Sequence, residues 1–103
     1  MFQPETRYVT KGIAERVPPE LAAALWLFID TQRSLRVKLD YLQVFKLEKI
    51  SEEVLAIRHE QENPARINVH YMGYKAEYAD ILKETIFVID DGDHSTMLFG
   101  YEY

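Results

Sequence analysis

Two apolar runs, Ile86-Phe87-Val88-Ile89 and Met97-Leu98-Phe99, flank the polar segment Asp90-Asp91-Gly92-Asp93-His94-Ser95-Thr96. An Asp-Gly step between apolar runs is a hairpin signal, because glycine accepts positive φ without penalty and aspartate tolerates it. The spacing predicts a closing hairpin with arms near 84–90 and 96–103. The second arm runs through Gly100-Tyr101-Glu102-Tyr103 to the last residue. A terminal apolar run of this kind is expected to be tied into a sheet rather than left as a tail.

The rest of the chain supplies partners for that hairpin. Tyr8, Val9, Thr10 and Ile13 are β-formers and predict a first strand over 7–14, with Gly12 marking a bulge or a close approach. Pro18-Pro19-Glu20 opens a helix, since proline suits the first turn and an acid complements the dipole there. That helix is expected over 19–34, with Leu21, Leu25, Phe28 and Ile29 on one face, Trp26 beside them and three alanines allowing close packing. Residues 40–48 predict a strand with Tyr41, Phe45 and Leu47 on one side and Leu42 and Val44 on the other. Residues 54–62 predict its hairpin partner, because Leu55 and Ile57 alternate with Ala56 and Arg58. Asn63-Pro64 is a turn signal, after which Ile67, Val69 and Tyr71 alternate with Asn68, His70 and Met72 until Gly73. Over 75–83, Tyr78, Ile81 and Leu82 have helical spacing but fix no element. The order of elements predicts an α+β fold: an antiparallel sheet of about five or six strands with one main helix packed on one face.

The 103 residues show no repeat and no linker, which predicts a single α+β domain over 1–103. A chain of this length buries roughly 65% of its unfolded surface, enough for one core without staples. No cysteine is present, so disulfides and thiolate metal sites are excluded. The N-terminus has neither a basic region nor an apolar run of the secretory kind, and Leu21–Ile29 is too short to span a bilayer. The expectation is a cytoplasmic protein without membrane contact. Residues 1–52 carry a net charge of +1 and residues 53–103 a net charge of −6. Phosphate backbones require clustered Lys and Arg, so nucleic acid is not expected as a partner. The acidic half reads first as a solubilising surface and second as a welcome for a basic protein face or a cationic small molecule.

Several clusters invite chemistry. Asp90, Asp91 and Asp93 are the candidate metal ligands, since three carboxylates suit a hard cation. They depart from a calcium-loop pattern because Gly92 interrupts them and no bidentate Glu closes the loop, so their first reading is turn chemistry and no metal is expected. Asp93-His94-Ser95 holds the residue types of a hydrolase triad, but neighbouring side chains diverge and cannot line up acid, base and nucleophile. His59-Glu60-Gln61-Glu62 departs from the zinc-protease pattern, because position 63 is Asn and the segment reads as strand. His59 and His70 can meet across paired strands, where such histidines are more often hydrogen-bonded than metal-bound. The four glycines are scattered and form no phosphate loop, and no cofactor is expected.

Three segments together resemble a family of small bacterial and phage-associated proteins known as domain of unknown function 960. They are Tyr8-Val9-Thr10-Lys11-Gly12-Ile13 with Val17-Pro18 and Leu25-Trp26; Asp40-Tyr41-Leu42-Gln43-Val44-Phe45 with His59, Gln61-Glu62 and Pro64; and Ile89 to Leu98 with Glu102-Tyr103. The resemblance spans nearly the whole chain, implies a stand-alone domain and supplies no activity or site residue. The strand–helix–strand–strand order over 7–62 is also similar to the module of gyrase-inhibitor-like effector-binding domains, whose acidic pockets take cationic amphipathic ligands, although no second copy of the module is evident here.

With no catalytic constellation in view, the expected function is that of a non-enzymatic protein–protein interaction domain. The alternative is a small-molecule binding module for an aromatic or cationic ligand, with Trp26, His59, Glu60 and Glu62 as ligand-binding candidates. The first expectation requires an exposed apolar or aromatic patch, and the second an enclosed pocket with inward carboxylates. A monomer or an edge-strand homodimer is compatible with the pattern.

Overall fold

The computed structural model describes residues 1–103 and orders the chain as β1 (Arg7–Val9), α1 (Lys11–Arg16), α2 (Pro19–Ser34), β2 (Leu42–Lys49), β3 (Val54–Gln61), β4 (Arg66–Gly73), β5 (Thr85–Asp90) and β6 (Ser95–Phe99). Short 3-10 turns occupy Pro4–Thr6, Ala76–Ile81 and Gly100–Glu102. The six strands form one sheet in the order β1-β6-β5-β2-β3-β4. Every neighbouring pair is antiparallel except β1 and β6, which run parallel, so the sheet is mixed.

Helix α2 spans the predicted 19–34, with Pro19 in its first turn and Glu20 beside it. No glycine ends it. Arg36 takes the left-handed conformation at φ 58° in glycine's place. Two bonds then close the last turn, Val37 N–H to the Gln32 carbonyl at 3.1 Å and Arg36 N–H to the Arg33 carbonyl at 3.0 Å. This is the 6→1 and 5→2 pattern of a Schellman stop. Leu21, Leu25 and Ile29 lie fully buried along the side of α2 that meets the sheet. Beneath them sit Phe45 and Leu47 of β2, Leu55 and Ile57 of β3, Ile86 and Val88 of β5, and Met97 and Phe99 of β6.

The first predicted strand, 7–14, is corrected. Only Arg7–Val9 is strand, and Lys11–Arg16 is helix. Thr10 caps that helix by accepting the Ile13 N–H at 3.2 Å, a local bond that competes with extended backbone. Gly12 marks a close approach rather than a bulge, since a Cβ there would lie 2.7 Å from the Glu102 carboxylate. The closing hairpin is also shortened. Its last strand ends at Phe99, because Glu102 turns back to accept the Phe99 N–H at 2.8 Å and the Thr10 hydroxyl at 2.8 Å. The strand itself lies inside the sheet, between β1 and β5.

Candidate functional site

Alternation along β2, β3 and β4 sends two sets of side chains to opposite faces. The helix-covered side receives Gln43, Phe45 and Leu47 from β2 and Leu55, Ile57, His59 and Gln61 from β3. Asn68 sits opposite His59 and His70 opposite Ile57 on β4. These residues build a buried polar cluster at one end of the core. His59 is 3% exposed, and its Nε2 lies 2.6 Å from Gln43 Oε1. Gln43 Nε2 donates to Gln61 Oε1 at 2.9 Å, and Gln61 Nε2 donates to the Pro64 and Lys38 carbonyls at 2.8 and 3.0 Å. The cluster thereby clamps the Asn63-Pro64 turn, whose peptide bond is cis, against the segment before β2.

Both histidine rings are stacked. His59 lies on Phe45 at 4.4 Å between centroids, and His70 lies on Phe28 of α2 at 3.9 Å. The two imidazoles are 6.3 Å apart. His59 Nδ1 and His70 Nε2 are buried without a hydrogen-bond partner. Burial, with a smaller contribution from His70, pushes the His59 imidazolium down to about 4, and burial lowers His70 as well. Both rings are therefore neutral at pH 7. Gln32, Arg66 and Asn68 complete the lining, which leaves no room for even a water-sized guest.

The opposite face of the sheet has no helix over it. One row crosses five strands as Leu98, Phe87, Val44, Glu60 and Ile67. A second row places Tyr8, Thr96, Ile89 and Leu42 side by side, and Tyr103 meets the Phe87 ring edge-on at 5.8 Å. Toward β4 the apolar groups become markedly exposed: Ile67 is 55% exposed, Val69 47% and Tyr71 67%. Glu60 sits among them, bonded to Lys46 and Arg58 at 3.2 Å each. Burial raises the Glu60 carboxyl, but those two cations outweigh it and hold the group below its ordinary value. Two troughs on this face, about 340 and 540 Å³, are both open to solvent. The first is lined by Lys46, Ala56, Arg58 and Val69, the second by Val44, Phe87, Gly100 and Tyr101.

The sequence-derived candidates do not meet at one point. Glu60 and Glu62 share a shallow open trough with Val44 and Lys46. His59 lies on the other side of the sheet, inside the core. Trp26 is on the helix side too, half-buried beneath the Arg7 guanidinium at 4.7 Å, while Phe28 serves the β4 flank of the same helix. Arg7 also bonds Asp30, and that bond, with help from Arg33, lowers the Asp30 carboxyl.

Asp90 and Asp91 spend their carboxylates on backbone N–H groups, Asp90 also taking that of Phe2. Asp90 accepts the Gly92 N–H at 2.7 Å, and Asp91 accepts the N–H groups of Asp93 and His94 at 3.1 and 2.9 Å. The His94 N–H is the largest cause of a lowered Asp91 carboxyl. Gly92 takes φ 101°, the conformation the Asp-Gly step predicts. His94 pairs with Asp91 at 3.1 Å while Ser95 points into the core, so the triad look-alike is pulled apart. Nowhere do three His, Asp or Glu side chains converge where an ion would sit.

Sequence reasoning passed over Gln43, Gln61 and Gln32. The signal was present for two of them, since Gln43 alternates with Phe45 and Leu47, and Gln61 with His59 and Ile57.

A family model described as a staphylococcal protein of unknown function, domain of unknown function 960, matches residues 6–102. The chain belongs to this family. A crystal structure of a protein of unknown function from Enterococcus faecalis is similar over the whole chain, with a TM-score of 0.82 and 26% identity, covering 100% of this chain and 98% of that one. No curated protein matches the chain. Membership thus brings a fold shared between the two proteins and no activity, which leaves the two faces of the sheet as the features that bear on function. No helix is long and apolar enough to cross a membrane.

Proposed function

We propose that this protein is a non-enzymatic, cytoplasmic protein-binding domain whose docking surface is the helix-free face of the sheet, and that the occupant is a protein. The observation that carries this reading is the row Ile67, Val69 and Tyr71, three large apolar side chains in register on one strand and roughly half or more exposed. Past Glu60, that row continues into the partly exposed Val44 and Phe87 across the sheet. Contiguous exposed apolar surface with interspersed charge is the usual composition of a protein interface. Lys46, Glu60 and Arg58 put both signs at its centre, which favours a partner with paired charges over a purely cationic ligand. The troughs on this face are open, whereas a small-molecule site encloses most of its ligand.

A photo-crosslinking amino acid placed at Phe87 or Tyr71 in the producing cell tests this. The expected result is a discrete protein adduct from both positions and none from Leu27 or Leu35, which at 60% and 66% exposed are about as accessible as Tyr71 and more so than Phe87. Adducts spread evenly over both sides, or absent from Phe87 and Tyr71, would overturn the reading.

A further inference from the structure

The two edges of the sheet are built differently. The β1 edge has three residues, follows a 3-10 turn that begins with Pro4 and leads at once into α1. The β4 edge has eight residues, Arg66 to Gly73, and contains no proline and no lysine. Native edges are normally blunted by short length, lysine, proline or a bulge. The pairing of β4 with β3 is continuous from Gln61↔Arg66 to Val54↔Gly73, so no bulge interrupts it either.

Register decides which backbone groups are free. Tyr74 N–H donates to the Glu53 carbonyl at 3.0 Å, which makes that pair hydrogen-bonded and fixes the alternation along the ladder. Arg66, Asn68, His70 and Met72 therefore bond to β3, and Ile67, Val69 and Tyr71 turn their N–H and C=O groups outward. The outward backbone groups belong to the same three residues whose side chains are exposed on the helix-free face. Backbone and side chains thus present one continuous template.

We infer that β4 pairs antiparallel with β4 of a second copy of this chain, with Val69 on the two-fold axis. An antiparallel two-fold pair keeps each residue on its own face and sets like-numbered residues symmetrically about the axis. Centred on Val69, the register puts Ile67 opposite Tyr71 of the other copy twice over, an aromatic–β-branched pair, and Val69 opposite itself. Asn68 falls opposite His70, and Arg66 opposite Met72. The neighbouring register, centred on His70, sets the two His70 rings against each other and wastes Ile67 on Gly73. The Val69 register engages every outward group of the three residues in about six backbone hydrogen bonds. Charge favours it too. In a chain of net charge −5, the strand Arg66–Gly73 carries no carboxylate, so two copies meet where their mutual repulsion is weakest. Self-pairing deepens the docking reading and rests on it in using the same three side chains, while leaving Val44 and Phe87 free for another partner.

Sedimentation equilibrium from about 1 to 300 μM tests it, a range wide enough for an interface of modest area. The expected result is a concentration-dependent monomer–dimer equilibrium that Val69→Pro abolishes, shifting the association constant by at least about tenfold. Proline there removes only an outward N–H and leaves the β3 ladder paired. Val69→Lys, which keeps the N–H and adds a charge at the axis, is expected to weaken the dimer as well. Circular dichroism matching the parent's shows that each variant is folded. A monomer across the whole range, or a dimer that both folded variants preserve, would overturn self-pairing. In the monomer case, adducts from Phe87 with a different protein would still stand, so failure of self-pairing and failure of the docking reading are separable.

Discussion

The two faces of this sheet are drawn from the same strands and meet opposite fates. On the helix side, Phe45, Ile57, Ile86 and Val88 vanish beneath Leu21, Leu25 and Ile29, and even the histidines are held neutral in stacks with Phe45 and Phe28. On the other side, residues one step along the same strands, Val44, Phe87 and Val69, have no layer over them. A one-residue step exchanges the two sets, so the period-2 pattern had to satisfy both faces at once. The covered face is finished by the chain itself. The open face carries enough apolar surface to be finished by something else, at the edge where β4 is unguarded.

That contrast can be broken at its strongest point first. Ile57→Ala opens a cavity in the covered face and is expected to cost about 3 kcal/mol. Val69→Ala, on the edge strand and facing out, is expected to cost well under about 1 kcal/mol in dilute solution. Urea denaturation of the two variants side by side checks both values. Equal losses would mean the open face is packed as tightly as the covered one.

Acid sharpens the contrast next. A histidine near 6.5 in the unfolded chain and about 4 when folded binds its proton more readily unfolded. Stability from His59 is therefore complete above about pH 6.5 and lost as pH falls toward 4, by roughly 3 kcal/mol in all. His70, lowered by the same burial, adds loss in the same direction. His59→Gln, which keeps an amide near Gln43, is expected to flatten that acid slope relative to the parent in denaturation series at pH 7.5, 5.5 and 4.5. Parallel slopes would mean the His59 ring is charged or solvated in the native state. The smallest effect belongs to the open face, where Glu60→Gln removes two partly exposed ion pairs and is expected to change the urea midpoint by less than the equivalent of about 1 kcal/mol.

Much of the covered face was legible in the sequence, and the reasons are local. Pro18-Pro19-Glu20 announced where α2 begins, and the spacing of Leu21, Leu25 and Ile29 announced which side it buries. The Asp-Gly step placed the last hairpin turn, and alternation placed β2, β3 and β4 within a residue or two. What escaped was non-local. The parallel pairing of Arg7 with Ser95 has no local signature, and Thr10 capped a helix where its β-branched neighbours suggested strand. The burial of His70 depends on Phe28, forty-odd residues away, and no window of sequence contains both. The sequence led us to expect an exposed patch, but the place of the open face on the sheet required the strand order, because the row from Leu98 to Ile67 joins five strands that are scattered along the chain.

The edge where the two faces meet offers the most direct measurement. Residue-resolved amide hydrogen exchange along β4 reads the backbone groups one by one. The N–H groups of Asn68, His70 and Met72 bond to β3 and are expected to be protected at every protein concentration. Those of Ile67, Val69 and Tyr71 point outward and are expected to exchange fast when the protein is dilute and to slow as concentration rises. Outward amides that stay fast at every concentration, or that are already as slow as their neighbours in dilute solution, would contradict an unfinished edge completed by a second copy.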